Sequence, residues 1–225
     1  MTNVINPITA LAFVKDPSGT VRLLLAGEGP YLKVFEESNG RLIAIKRAFE
    51  AQAIHGIIAI AALDYDDPDL DGVTEVLIWG GRCLRLGLLR YGPGAGPLQV
   101  EIELKEELKV DDWILGGCFD PEVREPDERN SSCSRKYDSV VLTAHNVAYG
   151  ICQDKNQQSI VKRIVAGPDS MLYSAYIDWT GSGRCLVASG TAFGDILLWS
   201  FPESGVKADS VSPVSSHLHH TIHRS

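Results

Sequence analysis

Residues Cys185–Phe201 read CLVASGTAFGDILLWSF, and residues Arg22–Glu37 read RLLLAGEGPYLKVFEE. Each is an apolar run, a turn of small residues, and a second run with apolar side chains at alternate positions, which is the pattern of two antiparallel strands joined tightly. VLIWGGRCLRLGLLR (Val76–Arg90) and VVLTAHNVAYGICQ (Val140–Gln153) repeat the layout. With Gly27, Gly80, His145 and Gly190 as one reference column, the spacings are 53, 65 and 45 residues, so the unit recurs with uneven loops. A strand-like run precedes each hairpin: ITALAF, HGIIAIAAL, WILGGCF and MLYSAYIDW. Another follows three of them: RLIAIKRAF, LQVEIELKEEL and SIVKRIVAG. EIELKEELKV has helix-favouring composition but fills the fourth slot of its unit, and is read as a strand.

Four short strands per unit, rich in Val, Ile, Leu and aromatics and separated by Gly, Asn, Asp and Pro, predict an all-β WD-repeat β-propeller of about four blades. One blade is a small twisted sheet with apolar faces on both sides, buried only against its neighbours. Gly194, Asp195 and Trp199 fall where a WD repeat places the turn into its third strand and the aromatic closing that strand. The blades are expected near 7–50, 53–110, 113–167 and 171–201, followed by a flexible tail or truncated strand over 202–225. The fourth blade lacks a convincing last strand, so the expected ring is incomplete, an open part of a larger propeller with exposed edges.

Composition narrows the function classes. A net charge of −8 and a pI near 5.2 argue against a basic face that grips phosphates by itself. Five scattered cysteines without CxxC spacing, and an N-terminus without signal-peptide layout, point to an intracellular protein with reduced thiols. No window has 18 uninterrupted apolar residues, so no membrane span is expected.

Four stretches carry a more specific resemblance: AGEGPYLKVF (Ala26–Phe35), AIHGI (Ala53–Ile57), TAHNVAYG (Thr143–Gly150) and SGTAFGDILLWS (Ser189–Ser200). Together, in this order, they resemble the N-terminal part of the large WD-repeat auxiliary subunit of the tRNA wobble-nucleotide ribose 2′-O-methyltransferase. The motif residues are Gly27, Tyr31, His55, Gly56, His145, Asn146, Gly190, Phe193, Gly194 and Trp199. The resemblance implies a non-catalytic, cytoplasmic adaptor that binds an FtsJ-type methyltransferase and meets tRNA indirectly, through the complex. Members of that family are several times longer. The alternative is a generic propeller scaffold for protein partners.

Residue patterns for chemistry are weak. YGPGAGPLQ (Tyr91–Gln99) has the glycines of a phosphate loop but also two prolines and a following strand, so it reads as a surface loop, and no cofactor is expected. Asp67, Asp69, Asp71 and Gly72 fit the D-x-D-x-D-G spacing of a calcium loop, with Glu75 at the ninth position. The twelfth position is Ile78 instead of a bidentate Glu, so a solvated acidic loop is preferred and these four carboxylates are only candidate metal ligands. The four histidines of HLHHTIH (His217–His223) have no cysteine or carboxylate beside them and read as part of the tail. His55 and His145 are read as hydrogen bonders that tie turns. No catalytic nucleophile, base and orienter can be assembled from spacing, and no enzyme activity is expected. The tryptophans Trp79, Trp113, Trp179 and Trp199 read as core, and Lys155, Lys162 and Arg163 as a solvated strand edge. Glu122–Ser139, charged and Ser-rich, reads as a long disordered insertion in the third blade.

Overall fold

The computed structural model describes residues 7–15, 19–61, 72–92, 99–119, 139–153, 158–180 and 184–202. Asp67, Asp69, Asp71, Cys133, Lys155, the glycine-rich centre of the Tyr91–Gln99 stretch, residues 120–138 and the histidine-bearing residues 203–225 lie outside these ranges. Among the described residues sixteen strands form four antiparallel sheets and there is no helix, so none long and apolar enough to cross a membrane.

Blade 1 is β1 (Ile8–Lys15), β2 (Val21–Glu28), β3 (Tyr31–Glu36) and β4 (Leu42–Arg47), paired in chain order. Blade 2 is β5 (Gly56–Ala61), β6 (Val73–Gly80), β7 (Cys83–Tyr91) and β8 (Val100–Leu104), with the two-residue β9 (Leu108–Lys109) also on β7. Blade 3 is β10 (Ile114–Phe119), β11 (Ser139–Thr143), β12 (Val147–Gln153) and β13 (Ser159–Ala166). Blade 4 has three strands among the described residues: β14 (Leu172–Thr180), β15 (Arg184–Thr191) and β16 (Ile196–Pro202). The chain divides into two compact units, Met1–Asp111 with blades 1 and 2, and Asp112–Ser225 with blades 3 and 4.

The helix-like composition of EIELKEELKV is overridden by pairing. Leu104 lies opposite Gly87 and Leu108 opposite Leu84, so one extra residue bulges out around Glu106 before pairing resumes. A sheet edge that needs partners outweighs the modest intrinsic helix preference of Glu, Leu and Lys.

Alternation along the strands builds a core within each unit. In unit 1 one face of blade 1, with Ala10, Val14, Leu23, Leu25, Leu32 and Val34 buried, packs on a face of blade 2 that presents Ile57, Val76, Ile78 and Leu89. In unit 2 the corresponding face of blade 3, with Cys118, Val140, Leu142 and Ala148, packs on Ile177, Val187, Trp199 and Phe201 of blade 4. We call the first member of each pair the forward face and the second the backward face. Each fully buried aliphatic side chain contributes about 1.5–3 kcal/mol of transfer free energy, so the blades of a unit depend on each other. The four described cysteines are buried thiols outside any disulfide, and the Cys118 and Cys185 sulfurs lie 4.0 Å apart across the blade 3–blade 4 core.

Candidate functional site

The hairpin motifs converge at one end of each blade, where the turn between the second and third strands meets the segment that links one blade to the next. These turns are tight, and each places one residue in the left-handed region: Gly29 (φ 56°), Gly81 (φ 58°), Asn146 (φ 59°) and Gly194 (φ 88°). Glycine meets that demand without a Cβ penalty, and Asn is among the few other residues that tolerate it.

In unit 1 the linking segment is laced over the blade 1 turn. Ile54 N–H donates to Gly29 O at 2.8 Å, Ala48 N–H to Pro30 O at 2.8 Å, and the Thr9 hydroxyl to Ile54 O. Gly27 lies under this crossing, where a Cβ would come 2.7 Å from Ile54 Cγ2. Tyr31 begins β3 opposite Glu28 and is partly exposed. His55 N–H donates to Trp79 O at 2.8 Å, and its ring Nδ1 accepts from Gly81 N–H at 3.4 Å. Gly56 pairs with Trp79 across β5 and β6 and lies against the indole.

Unit 2 repeats the lacing with other side chains. Leu172 N–H donates to Ala144 O and Gly167 N–H to Asn146 O, both at 2.7 Å, and Ala144 N–H donates to Trp113 O at 2.8 Å. Asn146 is fully buried; its Nδ2 donates to Pro168 O at 2.8 Å, while its Oδ1 has no partner among the described residues. Asn146→Ala is therefore expected to lose the Pro168 bond and to put in the left-handed region a residue without asparagine's tolerance for it, about 2–3 kcal/mol together, whereas Asn146→Gly loses the bond but has no conformational penalty there, about 1 kcal/mol. Urea unfolding of the two variants measures the difference directly.

His145 stands beside Asn146 with its ring mostly exposed, and Asp112, 33 residues earlier, reaches it. One carboxylate oxygen, Oδ2, accepts both the His145 N–H at 2.8 Å and Nδ1 at 2.9 Å. A carboxylate only accepts, so Nδ1 carries the proton and Nε2 faces out. Burial pushes the Asp112 carboxyl up, but the His145 N–H, the His145 ring and the Trp113 N–H outweigh it and hold it below the usual carboxylate range. A folded-state value below the unfolded one stabilises the fold above the unfolded value of about 3.9 and is lost as pH falls through the folded value. Acid unfolding of unit 2 is expected to be shallower in Asp112→Asn, because that acid-labile contribution is removed; thermal melts between about pH 5 and pH 2.5 check it. An Asp–His pair also resembles the base and orienter of a hydrolase, but His145 has no hydroxyl or thiol hydrogen-bonded to it among the described residues.

Blade 4 displays its turn most openly. Thr191 Oγ1 accepts from Phe193 N–H at 3.2 Å and from Asp195 N–H at 3.1 Å, which closes the turn and leaves the Phe193 ring 89% exposed. Ala192 N–H donates to Met171 O at 3.0 Å. Gly190 sits in β15 beside Ser174, and Trp199 is buried against Phe201, with ring centroids 5.4 Å apart. Of the candidate calcium ligands only Glu75 is described, in β6 opposite Ile60 and Leu88, and the described residues hold no cluster of three or more metal-ligating side chains. Lys162 and Arg163 lie in β13.

No protein-family model matches the chain, and no curated protein sequence matches it. Solved structures do. The β-propeller domain of Cps50 (Swd1) from Myceliophteria thermophila is similar with a TM-score of 0.54 and 14% identity, over 89% of this chain and 51% of that one. BBS1N in complex with ARL6DN follows at 0.49 and 11% identity, over 85% and 51%. The WD40 domain of SCAP from fission yeast follows at 0.43 and 9% identity, over 90% and 53%. The first of these similarities shows that the chain has an all-β fold of β-propeller type, built here of four blade-like sheets, and the chain spans about half the length of the solved chains it resembles.

Proposed function

We propose that the chain is a non-catalytic WD-repeat adaptor whose turn ends bind an FtsJ-type methyltransferase in the cytoplasm, in support of 2′-O-ribose methylation of the tRNA wobble nucleotide. WD40-type blades suit such a role, since they offer rigid turns on a sheet scaffold. The partner comes from the resemblance of the four motif stretches. One observation carries the reading: Phe193, a motif residue, is 89% exposed in a turn that Thr191 already closes, so packing gives no reason for a large apolar ring there. Aromatic side chains displayed on rigid turns are typical binding anchors.

The acidic chain leaves tRNA to its partner, in keeping with a net charge of −8. Phe193→Ala is expected to weaken methyltransferase binding about tenfold or more while changing stability by under about 0.5 kcal/mol. Pull-down with the methyltransferase, together with mapping of wobble 2′-O-methylation in cells lacking the chain, tests the reading. Absence of binding with methylation unchanged leaves a propeller scaffold for a different protein partner.

A further inference from the structure

The core of unit 2 holds two thiols that the adaptor reading does not use. Cys118 is on the forward face of blade 3, one residue before the end of β10, with Val140 opposite it on β11. Cys185 stands two residues before Val187 in β15, so it shares the backward face of blade 4. Their sulfurs meet across the core at 4.0 Å, although 67 residues separate them along the chain.

Both sulfurs are held from their surroundings. Gly116, two residues before Cys118, lets β10 run close to β14, since a Cβ there would come 2.9 Å from the Ala175 carbonyl oxygen. Cys185 lies between Trp179 on β14 and Phe201 on β16 in the ladders of blade 4, and both rings are buried. Two large rings beside it limit how far its side chain turns away.

Blade packing does not require sulfur at this contact. The residue that follows the β1 bulge by the same step as Cys118 follows the β10 bulge is Ala12, so blade 1 fills the equivalent position with a methyl group. The thiol adds reactivity to a site where a small side chain suffices. A disulfide brings its sulfurs to about 2.05 Å, so each has about 1 Å to move, a displacement that rotation about Cα–Cβ supplies.

We propose that Cys118 and Cys185 are a reversible redox pair that closes into a disulfide and staples blade 3 to blade 4, with a hydroperoxide as oxidant. Cys118 is the more accessible thiol, 5% exposed against 0% for Cys185, and reacts first. With hydrogen peroxide, its thiolate attacks one peroxide oxygen and the O–O bond breaks. Hydroxide leaves, takes up the proton that Cys118 gave up and becomes water, and Cys118 becomes a sulfenic acid. The Cys185 sulfur then attacks the sulfenic sulfur; the S–O bond breaks, and the hydroxyl leaves with the Cys185 proton as a second water. The two thiols lose two electrons and the peroxide is reduced to two waters. A thiol reductant reverses the step by exchange. The closed loop contains the His145 turn and ends on blade 4, which carries the Phe193 turn, so oxidation ties together the two blades that present them.

The test is to treat the purified chain with hydrogen peroxide, quench it in acid and digest it without reduction for mass spectrometry. The expected product is one peptide pair joined through Cys118 and Cys185, two hydrogens lighter than the separate peptides and split by dithiothreitol. Calorimetry of the oxidised chain is expected to show the melting temperature of unit 2 raised by about 10 °C, and returned to its starting value by dithiothreitol. Cys118→Ala, which gives blade 3 the residue that blade 1 carries, loses that rise. Cys185→Ala leaves a sulfenic acid on Cys118 that dimedone traps. A folded wild-type chain whose Cys118 and Cys185 peptides stay unlinked overturns the proposal. So does linkage that runs through Cys83 or Cys152 instead, or a rise in melting temperature that Cys118→Ala keeps.

Discussion

Gly56→Ala is expected to destabilise unit 1 by about 3 kcal/mol or more, among the largest losses available from a single methyl group in this chain. An added Cβ falls within the van der Waals envelope of Trp79 Cζ2 and Cε2 and 2.6 Å from Cη2. The indole cannot yield easily, since Trp79 is buried and its backbone is fixed opposite Gly56 in the β5–β6 ladder. Gly56 is outside the left-handed region, so the cost is steric rather than conformational. That distinction gives the prediction its check. Gly56→Ala combined with Trp79→Phe should recover part of the loss, because the smaller ring vacates the overlapping atoms. Thermal unfolding of the single and double variants reads the coupling, and additive losses would refute the steric account.

Trp199→Ala is expected to cost about 3–5 kcal/mol in unit 2, through lost transfer free energy and the cavity left behind. Trp199 is buried, stacks at a tilt on Phe201 and lies close above Gly167, where a Cβ would come within 2.6 Å of its ring. Its Nε1–H is buried without a hydrogen-bond partner among the described residues. Trp199→Phe should therefore cost much less, under about 2 kcal/mol, since it keeps most of the apolar surface and removes an unsatisfied donor. Chemical denaturation of the two variants separates them. Equal losses would mean that the indole nitrogen matters more than its surroundings indicate.

Blade architecture was legible in the sequence because it rests on local signals. Period-two alternation around Gly27, Gly80, His145 and Gly190 marks half-buried strands, and Gly29, Gly81, Asn146 and Gly194 supply the left-handed turns between them. Other features depend on pairing between distant residues. The bulge that divides β8 from β9 follows from the ladder on β7 and has no marker in EIELKEELKV. Asp112 drew no notice because its partner His145 lies in the next hairpin, and only the path of the chain into β10 brings the two together.

Apart from the two-residue β9, which pairs with β7, strand order within every sheet is chain order, and this shapes how the protein reaches its native state. Each blade is a meander whose pairings close locally, so hairpins can form independently in microseconds and the slower step is docking of one meander on another. The blades are unequal in this respect. Five residues, 16–20, separate β1 from β2, whereas residues 120–138 separate β10 from β11. Closure entropy grows with the logarithm of that length, which adds about 1 kcal/mol to the initiation of the first pairing in blade 3. Blade 1 is then the early nucleus and blade 3 the late one, and shortening the 120–138 connection would speed folding of unit 2 with little effect on its unfolding rate.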